Sequence, residues 1–534
     1  MKKITRELKA RLTSINLLMF VVPLIIYFLC LNGVWSSDHP TSLLDLDYAL
    51  YAYHSFALGR AGGLSPFVSN SVDLFTYHSH WYSASAPGTA VLAFPFTALG
   101  FYIEGGFSLY GWVMLLSEAF VALANSLAVF VLYRILKDFF SCGEHVAAFV
   151  AFAYAFSTIS WPFATYFFQS DVSSLFVLLG VYFALGAAST RGSDARHSGL
   201  RHRLVALSRS PPIDLILCGL SLGVALTVDY VTAILLPIFL VYVAVSRRRS
   251  IGQRIQGILT VLASWGVGLL FLLYYNYSSF GNALTTSEQL YLGRSGLLGS
   301  FSFPLPTGLL LNFFTPLRGV LLYSPILAAG AWGLFVCLRR GKPSFAAINN
   351  WRLSLVFILA LFIGIIVPYS MWYSATAGIS YGPRFLIPAM PLILIPFGAA
   401  IGGGCGDMVA GRKKLVAFLA YGLFTIGVFV NGLGALTGAV PPDQAWLSSP
   451  FLHDVLPDLL KGQLDTWWKT LLGHYWPALG GLMLVIPLVS AGCFLRGMLG
   501  ATPITDSRFA LAHLKARGET RLGRHDSKPA KKER

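Results

Sequence analysis

Apolar runs long enough to cross a lipid bilayer recur along this chain from residue 15 to residue 496. A helix needs about 20 consecutive apolar residues to cross the roughly 30 Å of hydrocarbon in a bilayer. Charged residues make up only 12% of the chain, and the mean hydropathy of +0.66 lies outside the range of soluble proteins. Because backbone polar groups must be bonded within each segment in hydrocarbon, the runs predict an all-α polytopic membrane protein.

About twelve membrane-spanning helices are predicted. Their approximate bounds are 15–34, 107–133, 145–166, 171–189, 213–227, 230–246, 255–275, 319–338, 352–371, 385–403, 415–438 and 475–495. The segment 86–106 is also apolar, but Pro87, Pro95 and Gly100 interrupt it, and a full span here would place Arg134 outside. We therefore predict a half-inserted or surface-lying helix in this segment.

The basic residues collect on one side of these predicted spans. Of the 39 Lys and Arg residues, 33 fall on the side of the N-terminus, and the remainder are Arg60, Arg294, Arg318, Arg384, Lys461 and Lys469. Lys and Arg accumulate in cytoplasmic loops, so both termini are predicted to be cytoplasmic. The net charge of +16 is then explained by orientation and by contact with anionic membrane lipids, and nucleic acid is not an expected partner.

Three regions follow from this topology. They are a basic N-terminus at 1–14, a transmembrane domain at 15–496 and a basic, disordered tail at 497–534. The predicted outer loops are 35–106, 276–318, 372–384 and 439–474. The inner connections are short apart from the loop 190–212 and the tail, so any chemistry is expected on the outer face.

The first outer loop carries two acids, Asp45 and Asp47, in the stretch LDLDYALYAYHSFALG. Topology places both near the outer boundary of the bilayer, where helix caps and interfacial anchors are the competing interpretation of such acids. The four histidines of the loop match no metal-ligand spacing and are expected to be solvated, with His80 the one to test.

Two arginines stand where outer loops enter spans. Arg384 lies in MWYSATAGISYGPRFLIPAMP, and Arg318 lies in FFTPLRGVLLYSP. A guanidinium held among aromatic rings can bind a phosphate through paired hydrogen bonds. The alternative is that each arginine is an anchor at the membrane interface.

Further candidates for substrate contacts are His80, Tyr82, Tyr381 and Asp171. Asp171 stands in the first turn of a predicted span, where a helix cap is the competing interpretation because an acid is favoured there by the helix dipole.

Four of these motifs together resemble the GT-C membrane glycosyltransferases, in particular the protein O-mannosyltransferases and the lipid A aminoarabinose transferases. They are the stretch from Asp47 to Tyr51 with the helix-like run to Gly62, then WYSASAPGTAVLAFP, TPLRGVLLYSP and WYSATAGISYGPRFLIPAMP. They are spread over residues 45 to 391. Two positions depart from the family pattern, because Tyr48 replaces its Glu and Ala84 replaces its Lys.

The resemblance implies an inverting transferase that uses a polyprenyl-phosphate sugar as donor. Asp47 would be the preferred general base, and Asp45 is left open as a helix cap, a second catalytic carboxylate or a metal ligand. Arg384 and Arg318 would bind the donor phosphate in place of the missing Lys. The acceptor is expected to be a glycolipid, a glycan or a protein. No cofactor is required, although a divalent metal at the Asp pair is left open, and the style of the motifs suggests a bacterial inner membrane. The competing functions are a transporter or flippase of lipid-linked glycans and a non-catalytic envelope scaffold.

Overall fold

This computed structural model describes residues 2–31, 38–59, 73–105, 111–189, 211–246, 250–293, 297–339, 350–373, 380–402, 410–437, 449–462, 468 and 476–500. The predicted tail at 497–534 lies almost entirely outside these residues. The outer loops are described only in part.

The described chain is built almost entirely of helices. They are α1 (Lys2–Leu29), α2 (Asp38–Tyr53), α3 (Gly88–Glu104), α4 (Trp112–Phe139), α5 (Glu144–Phe156), α6 (Ser160–Phe163), α7 (Gln169–Ala188), α8 (Pro211–Val228), α9 (Leu236–Val245), α10 (Ile251–Phe280), α11 (Ser287–Leu292), α12 (Leu305–Phe314), α13 (Val320–Tyr323), α14 (Leu327–Arg339), α15 (Trp351–Met371), α16 (Met390–Ile401), α17 (Ala410–Thr437), α18 (Leu456–Leu460) and α19 (Trp476–Gly500). Short 3-10 helices, Tyr230–Leu235 and Arg384–Ala389, precede α9 and α16.

Each predicted span coincides with an apolar helix, which confirms the all-α, multi-pass membrane architecture. Within the described residues, seven helices are long and apolar enough to cross a membrane on their own, and seven shorter apolar helices accompany them. One of the shorter helices is α3, at the place where the interrupted segment 86–106 predicted a helix that does not span. The helix α12, within the loop 276–318, was not predicted.

The only strands among the described residues form a hairpin in the first outer loop. Strand β1 (Leu74–Tyr77) pairs antiparallel with β2 (His80–Ser83), in a register that sets Tyr77 opposite His80. The two residues at its tip, His78 and Ser79, have φ values of 47° and 61°. These left-handed values are typical of the turns that match the twist of a two-residue hairpin.

Small residues let the central helices approach closely. A Cβ atom placed on Gly268 of α10 would lie 2.1 Å from the carbonyl oxygen of Gly223 in α8. A Cβ atom on Gly333 of α14 would lie 2.3 Å from the Cα atom of Phe397 in α16. Such contacts are typical of membrane helices, which gain stability from close packing because lipid tails are as apolar as their side chains.

The helix α2 differs from the expectation for the acid pair. It begins at Asp38 and ends at Tyr53, whereas the sequence pattern suggested a helix-like run from Asp47 to Gly62. Asp45 and Asp47 therefore lie in the middle of a helix that packs against α3, and not at its start. Gly62 lies outside the described residues.

Candidate functional site

A single aromatic ring, that of Phe168, lies at the centre of the polar groups at the predicted outer end of the bundle. Phe168 directly precedes α7 and is 1% exposed. The imidazole of His39 stacks on it with a centroid distance of 5.6 Å and an interplanar angle of 6°. The guanidinium carbon of Arg384 lies 4.6 Å from the centre of the same ring. We call Phe168, His39 and Arg384 the outer platform.

His39, near the start of α2, connects the outer platform to a carboxylate. Its Nδ1 atom lies 3.2 Å from Oδ2 of Asp73, and its Nε2 atom lies 2.6 Å from Oε1 of Gln169. The Oγ atom of Ser85 is also 3.2 Å from Nδ1. Both ring nitrogens therefore face acceptor oxygens, so a protonated His39 donates through both. This histidine was expected to be a solvated loop residue, but its side chain is only 12% exposed and fully partnered.

Asp73 is an acid beside the outer platform, and its surroundings favour its charged form. Burial alone raises the pKa of Asp73, but the hydrogen bond and charge of His39, together with the charge of Arg384, outweigh it and lower the pKa below its usual value. The side chain is 27% exposed. An ionised, partly accessible carboxylate is thus held within electrostatic range of Arg384.

The two predicted phosphate-binding arginines lie together. Arg318 is 2% exposed and Arg384 is 8% exposed, and the two guanidinium groups repel each other. Arg318 donates through Nη1 to the hydroxyl of Ser380 and, at 3.0 Å, to the carbonyl of Gly382. The Nε atoms of both arginines lack hydrogen-bond partners in the described parts of the chain, and no carboxylate described there forms a salt bridge with either group. Buried cations in this state are suited to an anionic ligand.

A second acidic group borders Asp73. Asp229, in the turn after α8, accepts hydrogen bonds from the hydroxyl of Tyr369 and, at 3.1 Å, from the backbone N–H of Val231. Burial, with the charges of Asp229 and Asp73, raises the pKa of Glu288 in α11 to about 8. The carboxyl group of Glu288 thus lies within electrostatic range of both Asp73 and Asp229.

Asp171 lies one turn into α7 and belongs to a buried polar network. Its Oδ1 atom accepts a hydrogen bond of 2.6 Å from the hydroxyl of Ser160, which itself accepts one of 2.8 Å from the amide of Asn125. The residue is 0% exposed. The network joins α4, α6 and α7, so Asp171 supports the segment that carries Phe168 and Gln169. Asp73, and not Asp171, is the acid whose charge acts on Arg384.

Asp45 and Asp47 are buried without a counter-charge. Both are 0% exposed, and among the described residues neither carboxyl group has a hydrogen-bond partner of normal geometry. Burial raises the pKa of Asp45 and of Asp47, and the nearby hydroxyl of Thr97 offsets only part of the effect at Asp47. A carboxyl group in such a place holds its proton.

The three remaining candidates lie in other surroundings. His80 contacts the carbonyl of His78 in the exposed hairpin, with Nδ1 at 3.0 Å. Tyr82 packs in β2 against Phe75 and Phe280. Tyr381 is 0% exposed and donates its hydroxyl to the carbonyl of Val430 at 2.8 Å, behind the loop that holds Arg318.

A metal site in a protein needs several His, Cys, Asp or Glu side chains close together. Among the residues that the structure describes, no three His, Cys, Asp or Glu side chains are arranged to bind one. Of the loop histidines, His54 and His78 are exposed, as expected for solvated residues.

No protein-family model matches the chain, and no curated protein matches it. Among solved structures, it is similar to ArnT from Cupriavidus metallidurans bound to undecaprenyl phosphate, with a TM-score of 0.50, 15% identity, and coverage of 90% of this chain and 75% of that one. The chain has the GT-C fold.

A second GT-C structure is also similar. It is the archaeal oligosaccharyltransferase AglB from Archaeoglobus fulgidus in complex with an inhibitory peptide and a dolichol-phosphate, with a TM-score of 0.47, 11% identity, and coverage of 88% of this chain and 59% of that one. At these identities the likeness concerns the fold. The GT-C resemblance predicted from the motifs is confirmed, while the site residues stay predictions.

Sequence reasoning did not single out four of the groups near the outer platform, which are His39, Asp73, Glu288 and Tyr369. Asp73 and His39 are 34 positions apart and meet only through the fold of the first loop. The one available signal was composition, since this loop holds five acids and four histidines but only Arg60 as a base. Such a count indicates a functional loop without indicating which acid is partnered.

Proposed function

We propose that this protein transfers a sugar from a polyprenyl-phosphate donor to a hydroxyl or amine of an acceptor at the outer, periplasmic or luminal, face of the membrane. The acceptor is a glycolipid, a glycan or a protein, and the sugar is a hexose or a pentose. The reaction inverts the configuration at C1 of the sugar because the acceptor displaces the phosphate directly. In a bacterium the site is the inner membrane, with both termini in the cytoplasm.

The observation that carries this proposal is the pair of buried arginines at the end of the bundle. Arg318 and Arg384 are almost enclosed, and each keeps an Nε–H without a partner among the described residues. A phosphate leaving group gains negative charge in the transition state, and fixed cations stabilise that charge. A donor with a lipid tail fits this location, because the tail stays in the bilayer while its phosphate reaches the guanidinium groups.

The second requirement is a carboxylate that takes the proton of the acceptor as it attacks C1. Asp47, supported by Asp45, is the candidate from the sequence. Asp73 is the candidate favoured by its surroundings, because His39 and Arg384 lower its pKa and its side chain is partly exposed. We assign the base to the first outer loop and favour Asp73, since Asp47 is fully buried and its carboxyl oxygens have no hydrogen-bond partner among the described residues.

The proposal is tested by comparing the glycolipids and glycoproteins of cells with and without the gene by mass spectrometry. Loss of a sugar from one class of acceptor is the expected result, and the missing residue identifies the sugar. The same transfer is then measured in liposomes that contain purified protein and the matching undecaprenyl-phosphate sugar. If the profiles are identical and the liposomes show no transfer, the protein is not this transferase. Movement of the donor across the bilayer without transfer would identify a flippase.

Two variants then decide between the bases. Asp73→Asn is expected to lower the transfer rate by 100-fold or more, the scale of general base catalysis, while Asp47→Asn retains most of the rate. Asp458→Asn, a change of a partly exposed acid in α18, is the matched control. The reverse order of effects would return the role to Asp47.

A further inference from the structure

The groups of the outer platform belong to three separate parts of the chain. His39 comes from α2, Phe168 from the segment before α7, and Arg384 from the loop before α16. His39 and Arg384 both contact the phenyl ring of Phe168. Any change in the place of this ring therefore shifts the proposed phosphate-binding group and the partner of Asp73 together.

The position of the ring is strongly constrained. Its neighbours include Phe163, at a centroid distance of 5.3 Å and an angle of 74°, and Tyr166, at 6.2 Å and 69°. Its backbone N–H donates to the carbonyl of Tyr166 at 2.8 Å. The irregular segment between α5 and α7 also bonds to the rest of the bundle. The backbone N–H of Ile159 in this segment donates to the hydroxyl oxygen of Ser324 at 3.0 Å.

The network around Asp171 holds the other end of this segment. Ser160 begins α6 and donates to Asp171 in α7, so the chain between them, which includes Phe168, is bridged by a hydrogen bond. A ring on such a rigid support is able to fix the direction of groups that stack on it. Gln169, the next residue, fixes the other side of the imidazole.

The contact with Phe168 is compatible with phosphate binding by Arg384. A guanidinium that places its flat face over an aromatic ring keeps the N–H groups in its plane available to a phosphate. In agreement, the Nε–H of Arg384 has no partner among the described residues. The ring also shields one side of the cation from water.

We infer that Phe168 is a positioning residue, which sets Arg384 and the His39–Asp73 pair in one fixed arrangement for the donor phosphate and the acceptor. Phe168 takes no part in bond making. The inference rests on the proposed function, because it presumes that Arg384 binds the phosphate.

The test is the affinity of purified, folded protein for undecaprenyl phosphate, measured by native mass spectrometry in detergent. Phe168→Leu keeps an apolar side chain but removes the aromatic face, and is expected to weaken binding by about 3-fold to 30-fold, the scale of a partly desolvated cation–π contact. Phe168→Tyr keeps the face and is expected to restore most of the affinity. The transfer rate at saturating donor is expected to fall as well in Phe168→Leu, because His39 loses its support.

The matched control is Phe149→Leu. Phe149 is equally buried and packs against Phe424, and it makes no ring contact with Phe168 among the described residues. A purely structural role would lower thermal stability in both variants and leave the dissociation constant of the folded fraction unchanged. Equal affinities in Phe168→Leu and Phe149→Leu would therefore overturn the inference alone. If the unchanged protein does not bind undecaprenyl phosphate, the proposed function fails, and the inference fails with it.

Discussion

Replacement of Arg384 by Lys separates the shape of the cation from its charge. The guanidinium of Arg384 lies 4.6 Å from the ring centre of Phe168 and 5.2 Å from that of Phe385. Lysine keeps the positive charge but offers a compact, strongly hydrated ammonium in place of a flat group with a fork of donors. If Arg384 binds the donor phosphate in this setting, the change removes two contributions.

The first contribution is the contact with the aromatic rings, worth about 0.5 to 2 kcal/mol. The second is one charge-assisted hydrogen bond to the phosphate, worth about 1.5 to 3 kcal/mol. Together they amount to about 2 to 5 kcal/mol, and since 1.4 kcal/mol corresponds to a factor of ten, the affinity for undecaprenyl phosphate should fall by about 30-fold to 3,000-fold.

The assay is the dissociation constant of undecaprenyl phosphate, with thermal stability as a check of folding. Arg339→Lys is a close control, because Arg339 lies 4.1 Å from the ring centre of Phe335 in the last turn of α14, at the predicted cytoplasmic end. That variant should bind as tightly as the unchanged protein. An affinity of folded Arg384→Lys within 3-fold of the unchanged protein would refute the phosphate-binding role of Arg384.

Three further predictions concern stability. Because burial and neighbouring acids raise the pKa of Glu288 to about 8, the folded state favours its protonated form; the melting temperature should therefore fall as the pH rises from about 5 to 8, and less steeply in Glu288→Gln. Gly333→Ala should lower the free energy of unfolding by about 1 to 3 kcal/mol, because the added methyl group clashes with α16. Gly252→Ala has open space around the site and should raise that free energy by up to about 1 kcal/mol. Equal melting temperatures of the two variants would contradict the packing argument. Asp171→Leu should lower the melting temperature by more than Asp171→Asn, since leucine leaves the hydroxyl hydrogen of Ser160 without an acceptor.

The architecture could be predicted because its signals are local. The twelve apolar runs are properties of single segments, and each contains an apolar helix, although the runs at 145–166 and 319–338 are each divided into two helices. A helix, α3, lies where the segment interrupted by Pro87, Pro95 and Gly100 predicted one. The close position of Arg318 and Arg384 was suggested by a shared pattern of loop and span.

The acidic half of the site could not be predicted in the same way. Asp47 and Asp73 are both acids of one loop, and only their surroundings distinguish them. Asp47 points into an apolar region of α2 and α3, whereas Asp73 meets His39 and the charge of Arg384. Such pairings depend on how the hairpin and α2 pack, and a pattern of residue types along the chain does not contain this information.

The tip of the β1–β2 hairpin is a site where two substitutions are expected to make the protein more heat-stable. His78 and Ser79 hold left-handed backbone angles that Asn and Gly adopt more readily. Both side chains are exposed, so their replacement by Asn-Gly sacrifices little beyond the stacking of His78 on Tyr77 at 4.1 Å. Relief of backbone strain of about 1 kcal/mol or more would then lengthen the life of the purified protein in detergent. Reconstitution into liposomes, the step on which every transfer assay of this protein depends, would benefit directly.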